Sequence, residues 1–406
     1  MALIFSLKKP VVSTSLPEFS EFVPSPCGMG AITQLFVLTA NLKPPGASIP
    51  QQGSGASLFW SCTMNFQNII PMSSFGVVGN EAQVMAPGFP ADHELMELVP
   101  SINPHYFFRT ILRLPVMNFL YSHGGDFLSL VGPTGAGKTS ILEQIAARLR
   151  WPFRKVNAHS RMEMPELVGS TSLECEQATG DQRTSFRYGP LALAMKEGAI
   201  FVLDEADVLD PSVFAGLNAV LEGGALVLAE NGGEIIYPHP NFRMVITSNT
   251  RGQGDDTGLH GGTMAQNLAT WDRCRMIEVP YMSKAEELQI LSSTMPKVDV
   301  AILEKMIDIA NDVRKQFVGN PEMELKPGQP GLTITFSTRS LLRWARIAST
   351  YNANASAKAV FPSPMGQALR EALTNRADKA MRVVVHTFAK DGFGAAWGAD
   401  PVLQAA

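Results

Sequence analysis

Gly132-Pro133-Thr134-Gly135-Ala136-Gly137-Lys138-Thr139 decides how the rest of this chain is read. Ahead of it lies an apolar run, Phe127-Leu128-Ser129-Leu130-Val131, suited to a buried strand. Behind it Ile141, Leu142, Ile145, Ala146 and Leu149 recur at helical spacing. A glycine-rich turn between strand and helix is the context a phosphate-binding loop requires. Glycines let successive N–H groups curl around an anion, and the helix N-terminus adds its partial positive charge. In this reading Gly132, Pro133, Thr134, Gly135, Ala136, Gly137 and Ser140 belong to the cradle for the phosphates of ATP. Lys138 reaches the β- and γ-phosphates, and the Thr139 hydroxyl ligates Mg²⁺. The bland alternative, a glycine-rich turn with a chance lysine, does not explain the strand before it and the helix after it.

A second apolar run, Ala199-Ile200-Phe201-Val202-Leu203, ends in Asp204-Glu205-Ala206-Asp207. Carboxylates at the C-terminal end of a parallel strand meet ligands along the same sheet edge as the loop. Asp204 is the candidate second holder of Mg²⁺. Glu205 is the candidate base that polarises the attacking water, since hydrolysis needs an acceptor aimed at the nucleophile. Either carboxylate alone reads equally well as an acidic helix start; the loop 66 residues earlier (204 minus 138) tips the balance.

Three more positions extend the constellation. Arg243-Met244-Val245-Ile246-Thr247-Ser248 reads as a strand ending in Asn249, an amide able to hydrogen-bond a γ-phosphate or the lytic water; taken alone, an Asn there is an ordinary turn former. Trp271-Asp272-Arg273-Cys274-Arg275 precedes a strand expected at 276–279. Arg273, with Arg275 as fallback, is placed to act on a neighbouring subunit's nucleotide, against the plain alternative of an Asp272–Arg273 surface ion pair. Ser337-Thr338-Arg339 opens a helix, with Ser337 or Thr338 as N-cap. Arg339 in a first turn opposes the helix dipole, which favours a functional role in reaching the γ-phosphate.

The chain has 406 residues, 45% of them hydrophobic, enough for two or three domains. A net charge of −4 and the lack of a basic–aromatic stripe argue against a dedicated nucleic-acid binder. Cys27, Cys62, Cys175 and Cys274 show no ligand spacing, and neither do the seven histidines. The lysines at 8 and 9 follow rather than precede the first apolar stretch, the reverse of a secretory signal. The run at 32–40 is too short to cross a bilayer. A cytoplasmic protein without membrane association is expected.

Four zones follow. Residues 1–95, rich in Pro, Gly, Ser and Gln, read as an adaptor or a partly disordered arm. Residues 96–285 alternate strands and helices as an α/β core. Residues 286–390 are helical, with apolar stripes at Val298, Ile302, Met306, Ile309, Val313, Phe317 and at Leu341, Trp344, Ala345, Ala348, a Pro/Gly loop at 319–331, and a last helix over 365–385. The Gly/Ala-rich tail 391–406 is expected to be mobile. Pro100 and Ile102, just before the core, are the positional candidates for adenine contacts.

The ordered set of loop, acidic strand end, asparagine, arginine and lid arginine resembles the AAA+ ATPases. Gly169-Ser170-Thr171-Ser172, followed by Phe186-Arg187-Tyr188-Gly189-Pro190-Leu191, is similar to the hairpin and GPL turn of their MoxR-like branch. The stretches Glu143-Gln144-Ile145-Ala146-Ala147-Arg148, Pro238-His239-Pro240-Asn241-Phe242-Arg243 and Asn249-Thr250 with Gly252, Gly254-Asp255 and Thr257-Gly258-Leu259 look like the CobS subunit of ATP-dependent cobaltochelatase. The resemblance spans about 97 to 290; the first 95 residues and those after 318 fall outside it. It implies an α/β P-loop core with a C-terminal helical lid and an extra N-terminal segment. It also implies a homo-oligomer, a hexameric ring, that binds ATP and Mg²⁺ between subunits. A von Willebrand A-domain protein and a client or chelatase large subunit are its implied partners. The alternatives are a MoxR-type remodelling ATPase with a non-corrin client, a DNA-associated AAA+ motor, and a nucleotide-binding scaffold without turnover, which the presence of Glu205 disfavours.

Overall fold

The computed structural model describes residues 66–175, 182–254, 261–318 and 331–404. The chain enters through an antiparallel pair, β1 (Gln67–Pro71) and β2 (Met85–Gly88), and a helix α1 (Thr110–Tyr121). The nucleotide-type core follows in chain order: β3 (Phe127–Val131), α2 (Lys138–Leu149), β4 (Phe153–Asn157) and α3 (Met164–Val168). An antiparallel hairpin, β5 (Gly169–Cys175) with β6 (Gln182–Tyr188), leads into α4 (Pro190–Glu197) and β7 (Ile200–Asp204). Short helices α5 (Pro211–Gly216) and α6 (Asn218–Leu221) precede a second hairpin, β8 (Leu226–Leu228) with β9 (Glu234–Ile236), then β10 (Arg243–Ser248), α7 (Leu268–Trp271) and β11 (Cys274–Glu278).

Five strands form one parallel sheet in the order β11-β3-β10-β7-β4. β3 and β10 are buried throughout, and β7 up to its last residue, as strands covered on both faces must be; hence the near-continuous apolar sequences of β3 and β7 and the apolar centre, Met244-Val245-Ile246, of β10. β4 and β11 alternate intermediate and exposed positions because they are the sheet's edges. Helix α4 packs its Leu191, Ala192, Ala194 and Met195 into the core beneath β7. Arg243, at the start of β10, is buried yet satisfied: its guanidinium donates to the carbonyls of Leu120 (2.6 Å), Pro240 (2.9 Å) and Phe242 (2.7 Å).

Beyond β11 the chain is helical: α8 (Lys284–Thr294), α9 (Val300–Lys315), α10 (Thr338–Ala353), α11 (Ala355–Val360), α12 (Pro364–Ala372), α13 (Lys379–Phe393) and α14 (Pro401–Gln404). Leu291, Met306, Ile309, Val313, Leu341, Trp344, Leu369 and Val385 build its separate core. A buried ion pair, Glu287 with Arg314 at 2.7 Å, ties α8 to α9, and the Thr338 hydroxyl donates to the same carboxylate at 2.8 Å. Arg109 links the two halves, donating to the carbonyls of Pro280 (2.7 Å) and Tyr281 (3.2 Å) and pairing with Glu286 at 3.3 Å.

Several expectations need correction. Residues 66–95 do not behave as a separate arm. Phe66 and Phe89 pack on Trp151 with ring centroids 4.9 and 5.6 Å apart, and the Phe89 N–H donates to the Leu149 carbonyl, so this segment caps the C-terminal end of α2. The tail after 390 is packed rather than mobile. Its small residues bring Trp397, 1% exposed, against Phe393 and Trp344, and Asp400 is buried against His386 at 2.5 Å. The helix expected over 365–385 is two. It stops at Leu373, and Asp378 restarts it by accepting from the Met381 N–H at 2.8 Å. Ile302 is exposed, so the first stripe is narrower than its spacing. The edge strand begins at Cys274, two residues before its expected start. Most of the 319–331 loop, residues 1–65 and residues 255–260 lie outside the described residues.

Candidate active site

Parallel pairing brings three strand ends to one edge. Ser248 lies opposite Val131, and Leu203 opposite Ile246, so Gly132, Asn249 and Asp204 follow one another across the sheet. β10 stands between the loop strand and the acidic strand, which puts Asn249 between the other two motifs.

The loop's glycines are required by space as well as by backbone angle. A Cβ on Gly132 would lie 2.2 Å from the Val279 carbonyl oxygen, and one on Gly135 would lie 2.5 Å from the Ser337 side chain. Gly135 and Gly137 take φ of 76° and 93°, which a glycine adopts without strain. No side chain caps α2, so its first-turn N–H groups face the loop's concavity. That arrangement accepts an anion.

Lys138 is 8% exposed. Its ammonium donates to the carbonyls of Gly132 (2.6 Å) and Pro133 (3.1 Å) and to Asn249 Oδ1 (2.9 Å), which also accepts from Thr134 at 3.3 Å. Burial draws the Lys138 pKa down to about 8, although Asp207, Asp204 and Glu205 each pull it upward. Thr139 Oγ1 donates to Asp204 Oδ1 at 2.7 Å, and the Thr247 hydroxyl donates to the same oxygen. A hydroxyl and a carboxylate oxygen side by side are the hard donor set that suits Mg²⁺, which is bound through few protein oxygens together with substrate phosphates. The residues present therefore fit both the nucleotide and the ion.

Glu205 is exposed beside this cluster with φ 57°, a left-handed conformation rare for a residue with a side chain. Its N–H donates to Thr247 Oγ1 at 3.1 Å, which holds that turn. A non-glycine residue held in a disfavoured backbone region next to a cleft is a mark of a functional position. The helical domain reaches the same place: Ser337, N-cap of α10, accepts from the Ser340 N–H at 3.1 Å while its Cβ touches the loop side of Gly135. Arg339 lies exposed in that first turn.

Arg273 is elsewhere. It precedes Cys274, which pairs with Phe127 at the start of β3, while the loop begins after Val131 at the far end. A five-residue strand spans about 16 Å, so Arg273 and its own loop lie on opposite edges of the sheet. Its guanidinium pairs with Glu222 and the Ala269 carbonyl. Arg275 sits within β11 and pairs with Asp126 at 2.9 Å. Pro100 and Ile102 do not border the loop. They line a cleft with Ala147, Arg148 and Arg150, at the opposite end of α2.

Two participants escaped the sequence reading. Thr247 is the next-to-last residue of β10, directly after the apolar Met244-Val245-Ile246, and Asp207 is the third carboxylate of the acidic motif. Asp207 is 1% exposed and accepts from the Asn249 N–H at 2.8 Å, the Thr250 N–H at 3.0 Å and the Thr250 hydroxyl at 3.3 Å.

Residues 128–273 match the model of the AAA domain (dynein-related subfamily), and residues 287–391 match that of the CbbQ/NirQ/NorQ C-terminal domain. This chain is a MoxR-like AAA+ ATPase. Among its relatives is the aerobic cobaltochelatase subunit CobS of Sinorhizobium sp, 29% identical over 301 residues, 73% of this chain and 83% of CobS. The uncharacterized protein YojN of Bacillus subtilis (strain 168) is 29% identical over 189 residues, 47% of this chain and 59% of YojN. Midasin of Giardia intestinalis is 29% identical over 189 residues, 46% of this chain but 4% of midasin. Members of the AAA+ family generally use nucleotide and Mg²⁺, and the oxygen donors at Thr139 and Asp204 would suit that ion. Among the described residues of this MoxR-like ATPase, no three His, Cys, Asp or Glu side chains are grouped to hold a metal ion, and no helix is long and apolar enough to cross a membrane.

Proposed function

We propose that this ATPase works as a subunit of a ring motor, hexameric as the resemblance implies, in which ATP bound at one loop is cleaved with help from Arg273 of the adjacent subunit. The observation that carries the reading is the meeting of Lys138, Thr139, Asp204 and Asn249 within one hydrogen-bonded cluster, with strained Glu205 at its rim. Water attacks the γ-phosphorus while Glu205 takes its proton; the bond to the β,γ-bridging oxygen breaks, leaving ADP and phosphate. Lys138 and the α2 N-terminus neutralise the phosphates, and Asn249 orients the water or the γ-phosphate. Mg²⁺ held by Thr139 and Asp204 would add charge neutralisation at the β- and γ-phosphates. Arg339, on the helical domain, senses the γ-phosphate and couples nucleotide state to lid position.

The motor's work is metal insertion or client remodelling, together with a von Willebrand A-type partner and a client or chelatase large subunit, in the cytoplasm. The CobS likeness over 301 residues supports the chelatase version. That 27% of the chain (100 minus 73) lies beyond that likeness favours a second version, a MoxR-type remodeller with a non-corrin client. Steady-state ATPase measurements with candidate partners separate them. Stimulation by a von Willebrand A-type protein and a corrin-binding subunit supports the first; stimulation by single-stranded DNA in place of either would contradict both. Glu205→Gln is expected to keep ATP affinity and lose turnover by about 10²-fold or more. A variant that turns over at the parent rate removes Glu205 from the base role.

A further inference from the structure

Asp207 lies in the short 3-10 turn Ala206–Val208, three residues past Asp204, and its carboxylate hydrogen-bonds the chain leaving β10. One of its carboxylate oxygens collects three donors: the backbone N–H groups of Asn249 and Thr250 and the Thr250 hydroxyl. The other oxygen is buried with no hydrogen-bond partner. Its own carbonyl accepts from the Met264 N–H at 2.8 Å, and Gln266 Nε2 donates to the Leu209 carbonyl at 2.7 Å, so the loop after Asn249 is fastened to the same turn. A buried carboxylate in this setting is costly, because its desolvation is met by neutral donors alone. Two consecutive N–H groups converging on one anionic oxygen fix the two peptide planes that flank the Asn249 Cα, and such charge-assisted bonds are about twice as strong as neutral ones.

What that Cα carries is the side chain that holds Lys138: Asn249 Oδ1 accepts from Lys138 Nζ at 2.9 Å and from Thr134 at 3.3 Å. We infer that Asp207 is a positioning residue for hydrolysis, locking the backbone of Asn249 so that its amide stays aimed between the phosphate loop and the acidic strand. The inference rests on the proposed role of Asn249. It gives a role to the third carboxylate of the acidic motif, whose hydrogen bonds go to Asn249 and Thr250.

A double-mutant cycle on the full chain tests it. Turnover is measured for Asp207→Ala, Asn249→Ala and the pair, with affinity read from a fluorescent ATP analogue and hydrogen exchange read at the Asn249 and Thr250 amides. Asn249→Ala is expected to lower kcat by about 10²-fold, the usual loss for one transition-state hydrogen-bond donor. Asp207→Ala should match it within about threefold with affinity little changed, and the pair should be no slower than Asn249→Ala alone. Asp207→Asn, which keeps an oxygen acceptor of the same shape, should recover turnover to within about tenfold of the parent. Exchange at the two amides should accelerate in Asp207→Ala and much less in Asp207→Asn; this comparison stands even if the alanine variant folds poorly. Parent-like kcat in Asp207→Ala beside an impaired Asn249→Ala overturns the positioning role alone, as do losses that multiply in the pair. Parent-like kcat in Asn249→Ala instead removes the proposed role of Asn249.

Discussion

Lys138 carries the charge logic of the site. With its proton it would neutralise phosphate; without it the amine keeps two N–H donors for three acceptors, the Gly132 and Pro133 carbonyls and Asn249 Oδ1. Because burial lowers its pKa to about 8, the free protein begins to lose this charge just above neutrality. Bound triphosphate favours the protonated form, so binding takes up a proton above that point. ATP affinity is therefore predicted to be flat below about pH 8 and to weaken by up to about tenfold per unit above it. Lys138→Arg, which stays charged, should bind less well and lose that slope; titrations showing the same slope in both would assign it to another group. The residues of this cluster were legible because glycine, lysine and paired carboxylates leave a spacing signature. Thr247 and Asp207 were not, because a buried polar side chain that serves a neighbour's backbone leaves no pattern along the sequence. The one trace was an unexplained third carboxylate two positions beyond Glu205.

Strands β3 and β7 could be read directly, since a strand covered on both faces is apolar at nearly every position, and β10 from its apolar centre Met244-Val245-Ile246. The tail was misread for the opposite reason. Gly394-Ala395-Ala396 and Gly398 suggest mobility by composition, yet their small size lets the backbone turn tightly enough to bury Trp397 against Trp344 and Phe393. Trp397 Nε1 also donates to Asp400 at 2.9 Å, and Asp400 holds His386 at 2.5 Å, whose other nitrogen meets Thr374 at 2.9 Å. Residues 393–400 are thus part of the helical domain's core. Trp397→Ala should destabilise the helical domain by about 3–5 kcal/mol in denaturant unfolding, the range for emptying a large aromatic site. A loss under about 1 kcal/mol would mean the tail is only laid against the surface.

For the whole molecule the deciding feature is distance within the subunit. The phosphate loop follows β3 at one edge of the sheet, and Arg273 precedes β11 at the other, so one chain cannot bring both to the same nucleotide. A head-to-tail ring resolves this, because a heterologous interface sets one edge of a subunit against the opposite edge of the next. Arg273 meanwhile pairs with Glu222 of its own chain, a contact it would have to exchange for phosphate on assembly. The helical domain meets this region through Arg109 at the Pro280–Tyr281 junction and through Ser337 against Gly135, two residues before Arg339. The most direct test mixes two inactive variants, Lys138→Ala and Arg273→Ala, under conditions of free subunit exchange. If the arginine acts across the interface, about one junction in four in an equal mixture joins an intact loop to an intact finger, and turnover returns to roughly that fraction of the parent rate. Mixed rings that exchange subunits and stay as inactive as either variant alone would contradict the account.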